Sequence, residues 1–267
     1  MSDNNLMMNI DERGVAILTI NRPEVHNAFD DALITYLTGT LMQLEDNPDV
    51  RVIVLKANGE HFSTGMDLRW LQKVMSYSKE ENIHDAMALA TLMKTLNQLS
   101  IPTIAIVQGA TYGASVGLVA CCDMVIASKQ ALFGLSEVKL GLIPAVISPY
   151  VIEAIGKRAA RRYFLTGEIF DAHVAQQLGL VSEVVSPEEL ENYCNTLITH
   201  LLQNGPQAIS AAKELVRAVS HGVIDDAMIA LTAELIAMIR VSDEGREGIS
   251  AFLEKRSPYW KITERKS

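Results

Sequence analysis

A rhythm of short β-branched runs, each closed by a turn signal and followed by a stretch of helical periodicity, most constrains what this chain can fold into. Val15 to Ile20 (VAILTI) ends at Asn21-Arg22-Pro23, and Val52 to Lys56 (VIVLK) ends at Asn58-Gly59. Between them, Asp30 to Leu44 carries apolar residues at helical spacing, so the first unit reads strand, helix, strand. A long amphipathic segment, about Lys79 to Leu99, leads into Thr103 to Val107. A Gly/Ala-rich stretch from Gly109 then becomes a helix before Asp123, and Met124 to Ala127 and Leu180 to Val185 read as further short strands. Repetition of this kind favours an α/β fold with parallel-type connections. After about residue 186 the pattern turns wholly helical (Pro187 to Gln203, Pro206 to Ser220, Ile224 to Ile239, Glu244 to Glu254). The expected organisation is an α/β core over 1–186 and a helical region over 187–267. A helical appendage this small seldom buries enough surface by itself, so it should pack on the core or on a second copy.

The obvious rival is a dinucleotide-binding fold, but no G-x-G-x-x-G follows the first strand; the nearest glycine-rich stretch, Gly109 to Gly117, is spaced G-x-x-x-G-x-x-x-G. No GxxxxGK[ST] supports nucleotide triphosphate chemistry either. The formal net charge is −9 without a block of Lys or Arg, which argues against a track for nucleic-acid phosphates. An acidic protein that binds an anion must supply its cations locally. Three cysteines, two of them adjacent (Cys121, Cys122, Cys194), form no disulfide framework and are read as packing residues. The histidines show no metal-ligand spacing, so no metal is expected. The N-terminus carries acids rather than a basic leader, and no apolar run reaches the roughly 18 residues of a membrane span. A cytoplasmic protein, disordered only at its ends, is expected.

Two glycine-marked turns each follow a strand and enter a helix: His61-Phe62-Ser63-Thr64-Gly65-Met66-Asp67-Leu68 and Gly109-Ala110-Thr111-Tyr112-Gly113-Ala114-Ser115-Val116-Gly117. Small residues there let a ligand approach the main chain, and free N–H groups at a helix start face developing negative charge. Two converging N–H groups would make an oxyanion hole; the competing explanation is tight helix–strand packing.

Taken with Phe133-Gly134-Leu135-Ser136-Glu137-Val138-Lys139-Leu140-Gly141-Leu142-Ile143-Pro144, these turns resemble the enoyl-CoA hydratase/isomerase (crotonase) family. The likeness runs from Asn21-Arg22-Pro23-Glu24-Val25-His26-Asn27-Ala28-Phe29, through Thr166-Gly167 and Leu178-Gly179-Leu180-Val181, to Ser250-Ala251-Phe252-Leu253-Glu254-Lys255-Arg256. It implies a crotonase-like ββα spiral core with a C-terminal helical trimerisation region, assembled as trimers or dimers of trimers. By position, the N–H groups of Met66 and Ala114 match the family's oxyanion donors, and Glu137 matches the second of two catalytic glutamates. The first falls at Gly117, which carries no side chain and should open space there. The Ser136 to Tyr150 block looks like bacterial hydratases of methylglutaconyl-CoA and carboxygeranoyl-CoA. Contacts to coenzyme A are implied along Val25 to Ala28 and Thr64 to Leu68, with His26, Ala28, Thr64, Asp67 and Leu68 as candidates. Lys255 and Arg256 are candidates for its phosphates, the alternative being a solvated basic helix end, and Tyr112, before the second turn's glycine, is read either as lining the acyl pocket or as aromatic packing. Coenzyme A is part of the substrate, so no separate cofactor is implied.

Glu137 lies among Phe133, Leu135, Val138 and Leu140, surroundings that would desolvate it and raise its pKa. The expected activity is hydration of a 2-enoyl-CoA, of the branched carboxylated 3-methylglutaconyl type. A single carboxylate also suits an enoyl-CoA double-bond isomerase. A non-catalytic scaffold for acyl-CoA or RNA is the third reading, against which stand the acidic charge and the presence of Glu137.

Overall fold

The computed structural model describes residues 5–220 and 222–261. Its main sheet has six strands in the order β1-β2-β3-β4-β6-β9, namely β1 (Leu6–Ile10), β2 (Val15–Ile20), β3 (Val52–Ala57), β4 (Thr103–Val107), β6 (Met124–Ser128) and β9 (Glu183–Val185). Every pairing is parallel except β1 with β2. A second sheet of three short strands, β5 (Ala110–Tyr112), β7 (Leu132–Gly134) and β8 (Ile169–Asp171), stands beside it.

The apolar runs are continuous because the main sheet is covered on both faces. Alternate residues divide between two cores: Leu18, Ile53, Ala105 and Val125 enter the larger, while Val15, Val52, Ile104 and Ile126 enter the smaller. The larger core lies under α1 (Asp31–Glu45), α3 (Lys79–Gln98), α4 (Ala114–Ala120) and α5 (Ser148–Thr166). Leu190, Cys194, Ile198 and Leu202 of α7 (Leu190–Leu202) close the smaller one. Burying each of the Leu, Ile and Val side chains among these contributes about 1.5–3 kcal/mol. Side chains set the helix starts: Asp30 Oδ1 accepts from Leu33 N at 2.8 Å, and Ser78 with Glu81 forms a reciprocal cap on α3.

The remaining helices are α2 (Leu68–Val74), α6 (Ala172–Leu178), α8 (Pro206–Val219), α9 (Asp226–Val241) and α10 (Asp243–Leu253). The last three pack on one another. Lys213 on α8 ties them to the sheet through Asp123 Oδ2 at 2.7 Å, and that carboxylate also accepts from Thr103 N and Oγ1, each at 2.8 Å.

Three details differ from what the sequence shows by itself. The N-terminal segment is ordered from β1 onward because Leu6 is buried in the core and residues 6–10 pair with β2; residues 1–4 and 262–267 lie outside the described residues. Strand β9 spans only Glu183–Val185, since Leu180 and Val181 turn back to donate to Ala175 O at the end of α6. Strands β7 and β8, three residues each, carry too little alternation to be read from sequence.

Candidate active site

The turn after β3 is stitched on both sides. Towards the second sheet, Ser63 N donates to Ala110 O at 3.1 Å and Tyr112 N to Ser63 O at 3.0 Å. Ser115 Oγ, fully buried, lies 2.9 Å from Ser63 O and 2.8 Å from Tyr112 O, so one hydroxyl bridges both turns. On the other side Phe29 N donates to Gly65 O at 2.7 Å and Asp67 N to Phe29 O at 2.8 Å. These two bonds straddle Met66, whose own N–H has no hydrogen-bond acceptor among the described residues. The Ala114 N–H, at the first position of α4, is likewise free among them, and Gly113 gives that helix no side-chain cap.

The two glycines preceding these amides are required by close approach as well as by backbone conformation. Gly65 has φ +94°, and a Cβ there would lie 2.9 Å from Tyr112 O. Gly113 has φ +55°, and a Cβ there would lie 3.2 Å from Glu137 Oε1. The carboxyl of Glu137 therefore stands directly over the residue that precedes the free Ala114 N–H.

Glu137 opens a short 3₁₀ turn, Glu137–Leu140, after β7, and the pairing of β5 with β7 holds that turn against Gly113. Its Oε2 is buried with no hydrogen-bond partner among the described residues. Burial pushes its pKa above the ordinary glutamate value, partly offset by a hydrogen bond from its own backbone. An acceptor-free amide beside a desolvated carboxyl, with a second such amide in the turn stitched to it, is the kind of donor set that can hold an oxyanion while the carboxyl exchanges a proton.

The other candidate residues divide into two groups. His26, Ala28, Thr64, Asp67 and Leu68 lie along one seam, since Thr64 N donates to His26 O at 3.1 Å and Asp67 N to Phe29 O. His26 is exposed, with its ring 5.2 Å from that of His61, and Leu68 presents an exposed apolar side chain. The Asp67 carboxylate is buried and engaged, accepting from Arg69 N at 2.8 Å and pairing with Arg22 at 3.3 Å. Lys255 lies just past the end of α10, a helix that packs on α8 and α9. Arg256 is committed to Glu247 at 2.6 Å and Glu254 at 2.7 Å, so its guanidinium is not a free cation. The Tyr112 ring packs on Gly134.

Gly117 does not open space. It is buried in α4, and a Cβ there would overlap Ile147 Cγ2 and lie 2.6 Å from Ile147 Cβ, with Met93 Sδ at 3.5 Å. A branched aliphatic side chain has taken the room that a missing side chain would leave. Sequence reasoning passed over Ile147, Ser115 and Arg22. The first two look like ordinary core residues, and only the burial of Arg22 (9% exposed) marks it as a residue that needs partners.

The cysteines fit packing. Burial raises the thiols of Cys121, Cys122 and Cys194 well above their usual range, to about 12 for Cys122 and Cys194. No described helix is long and apolar enough to cross a membrane.

The fold and the two turns define an α/β spiral protein with two acceptor-free main-chain amides, one of them beside a desolvated acid, and comparison with known proteins gives that class its family. The enoyl-CoA hydratase/isomerase family model matches residues 11–263. A Legionella pneumophila structure described as an enoyl-CoA hydratase/isomerase (crotonase) is 47% identical, with a TM-score of 0.93, over 97% of this chain and 100% of that one. An enoyl-CoA hydratase structure from Shewanella pealeana is 45% identical, TM-score 0.93, over 96% of each chain. The 2,3-dehydroadipyl-CoA hydratase of Escherichia coli is 33% identical over 94% of this chain and 96% of its own length. This chain belongs to the enoyl-CoA hydratase/isomerase family, and its fold is the crotonase fold.

Proposed function

We propose that this protein hydrates the double bond of a 2-enoyl-CoA, using Glu137 as the only side-chain acid–base group and the Met66 and Ala114 N–H groups as the oxyanion hole. Family membership supports the reaction class. The observation that carries the assignment of roles is the Glu137 carboxyl poised over Gly113, beside a main-chain amide without an acceptor. In this mechanism the ionised Glu137 takes a proton from water as the oxygen bonds to Cβ. The electron pair of the double bond moves to the thioester oxygen, where the two amides hold it, and Glu137 then delivers its proton to Cα. Losing one such donor costs about 10²–10³ in rate. With the aliphatic Ile147 filling the space beside Gly117, that position of α4 supplies no second carboxyl to divide these tasks.

For the acyl group we propose a branched, carboxylated chain of the 3-methylglutaconyl type. The name of the Escherichia coli relative denotes a dicarboxylic acyl group, which supports the carboxylate but not the branch. The candidate coenzyme A contacts are the seam formed by His26, Ala28, Thr64, Asp67 and Leu68, with Lys255 reaching the phosphates of a neighbouring copy. Exposed apolar residues on the last helices, Ile229, Ile236 and Met238 of α9 and Phe252 of α10, support assembly through that region into trimers or dimers of trimers.

Glu137→Gln tests the central claim: turnover should vanish while acyl-CoA affinity stays within about threefold. A variant that keeps wild-type turnover removes Glu137 from the mechanism. A panel of enoyl-CoAs with and without a terminal carboxylate, run in ¹⁸O-labelled water, tests the substrate. Labelled 3-hydroxyacyl product supports hydration, whereas double-bond migration without label supports an isomerase, which the single carboxyl also permits.

A further inference from the structure

Arg22 lies within the strand-terminating Asn21-Arg22-Pro23 segment, yet its side chain is buried and densely contacted. Its Nη2 lies 2.8 Å from Asp30 Oδ2 and 3.3 Å from Asp67 Oδ2, and its Nη1 donates to Ala28 O at 2.6 Å. Its backbone is held as firmly: Arg22 N donates to Asn27 Oδ1 at 2.8 Å, and Asn27 N returns a bond to Arg22 O at 2.9 Å. The guanidinium thus fixes three points, Ala28, Asp30 and Asp67. Phe29, between the first two, makes the pair of main-chain bonds that straddle Met66. Asp67, the third, follows Met66 directly and caps α2. The Met66 N–H therefore sits within a frame with Arg22 at its centre, although no hydrogen bond joins Arg22 to Met66 among the described residues.

We propose that Arg22 is the positioning residue of the oxyanion hole, holding the 28–30 segment and Asp67 so that the Met66 N–H faces the thioester oxygen. This rests on the role proposed above for Met66 and Ala114. A guanidinium suits the task because its rigid fork reaches two carboxylates and a carbonyl at once, whereas a lysine ammonium is a single point charge on a flexible stem. A misplacement of about 1 Å in a group of this kind costs about 10²-fold in rate.

The test uses butanoyl-CoA carrying ¹³C at the thioester carbonyl, bound at saturation and followed by infrared difference spectroscopy, together with a thioether analogue in which CH₂ replaces that carbonyl. In the wild type the carbonyl stretch should move to lower frequency on binding. Arg22→Lys should lose at least half of that shift and lower kcat for 3-methylglutaconyl-CoA by about 10- to 100-fold, with KM and thioether affinity within threefold. Asp67→Asn, which keeps an amide oxygen to cap α2, should lose part of the shift in the same way and serves if Arg22→Lys does not fold. A variant with the full wild-type shift and unchanged kcat overturns the role of Arg22 while leaving the hole standing. Absence of any shift in the wild type overturns the hole itself, and the role of Arg22 with it.

Discussion

Substituting Gly117 by alanine asks whether Ile147 occupies the place of the missing first glutamate. In an unobstructed helix interior, glycine to alanine stabilises by about 0.5–1 kcal/mol, so an open slot predicts a rise in Tm. The structure predicts a fall. The new methyl would lie 2.6 Å from Ile147 Cβ, against about 3.5–4.0 Å for ordinary carbon contacts, and no rotation of Ile147 removes its own Cβ. Overpacking of this severity belongs at the upper end of the usual penalty, about 3 kcal/mol. After the helix gain, a net loss of about 2 kcal/mol remains, or about 4–8 °C in Tm for a chain of this size. Ile147→Gly should destabilise by itself through the cavity it leaves. Combined with Gly117→Ala it should cost less than the sum, with a coupling of at least about 1 kcal/mol. Denaturant melts of the four proteins read the cycle, and a Gly117→Ala variant that melts above wild type refutes the packing argument.

Other consequences are equally direct. Because burial raises the folded-state pKa of Glu137, the fold favours its protonated form. That contribution to stability is complete below the unfolded-state pKa and lost as pH rises through the folded-state value. The Tm of Glu137→Gln relative to wild type should therefore increase with pH from about 4.5 upward, and parallel Tm curves would count against this. The acid limb of the wild-type rate profile should likewise lie above the range of an ordinary glutamate. Ser115→Ala should lower kcat more than it raises KM, since it removes the one hydroxyl shared by the two turns; equal effects on both would assign Ser115 to folding alone. The buried thiols of Cys121 and Cys194 should resist iodoacetamide at pH 8 in the native protein and react on unfolding, and fast native alkylation of either would contradict its burial.

Much of this architecture was legible because its signals are local. The continuous runs at β2, β3 and β4 reflect burial on two faces, and the helix starts at Asp30 and Ser78 carry capping residues that a reader can see. Glycines before Met66 and Ala114 marked both turns, and the apolar neighbours of Glu137 foretold the direction of its pKa. What escaped depends on contacts between distant positions. Gly117 meets Ile147 across 30 positions of chain, Arg22 finds Asp67 across 45, and Arg256 finds Glu247 nine positions back. A side chain absent at one position says nothing about which neighbour fills its place, so Gly117 read as space. Strand β1 was missed for a related reason: three of its four outward-facing or rim residues are Met or Ile, and its partner β2 supplies the pairing that its own pattern does not announce.

Because both amides proposed to hold the oxyanion are main-chain groups, exchanging the side chains of Met66 or Ala114 should leave the donors in place. A survey that replaces each residue in turn would thus find tolerance at the atoms nearest the chemistry and sensitivity at Gly65, Gly113 and other residues that only shape the backbone. Resistance to substitution in this protein should trace the mould rather than the working surface.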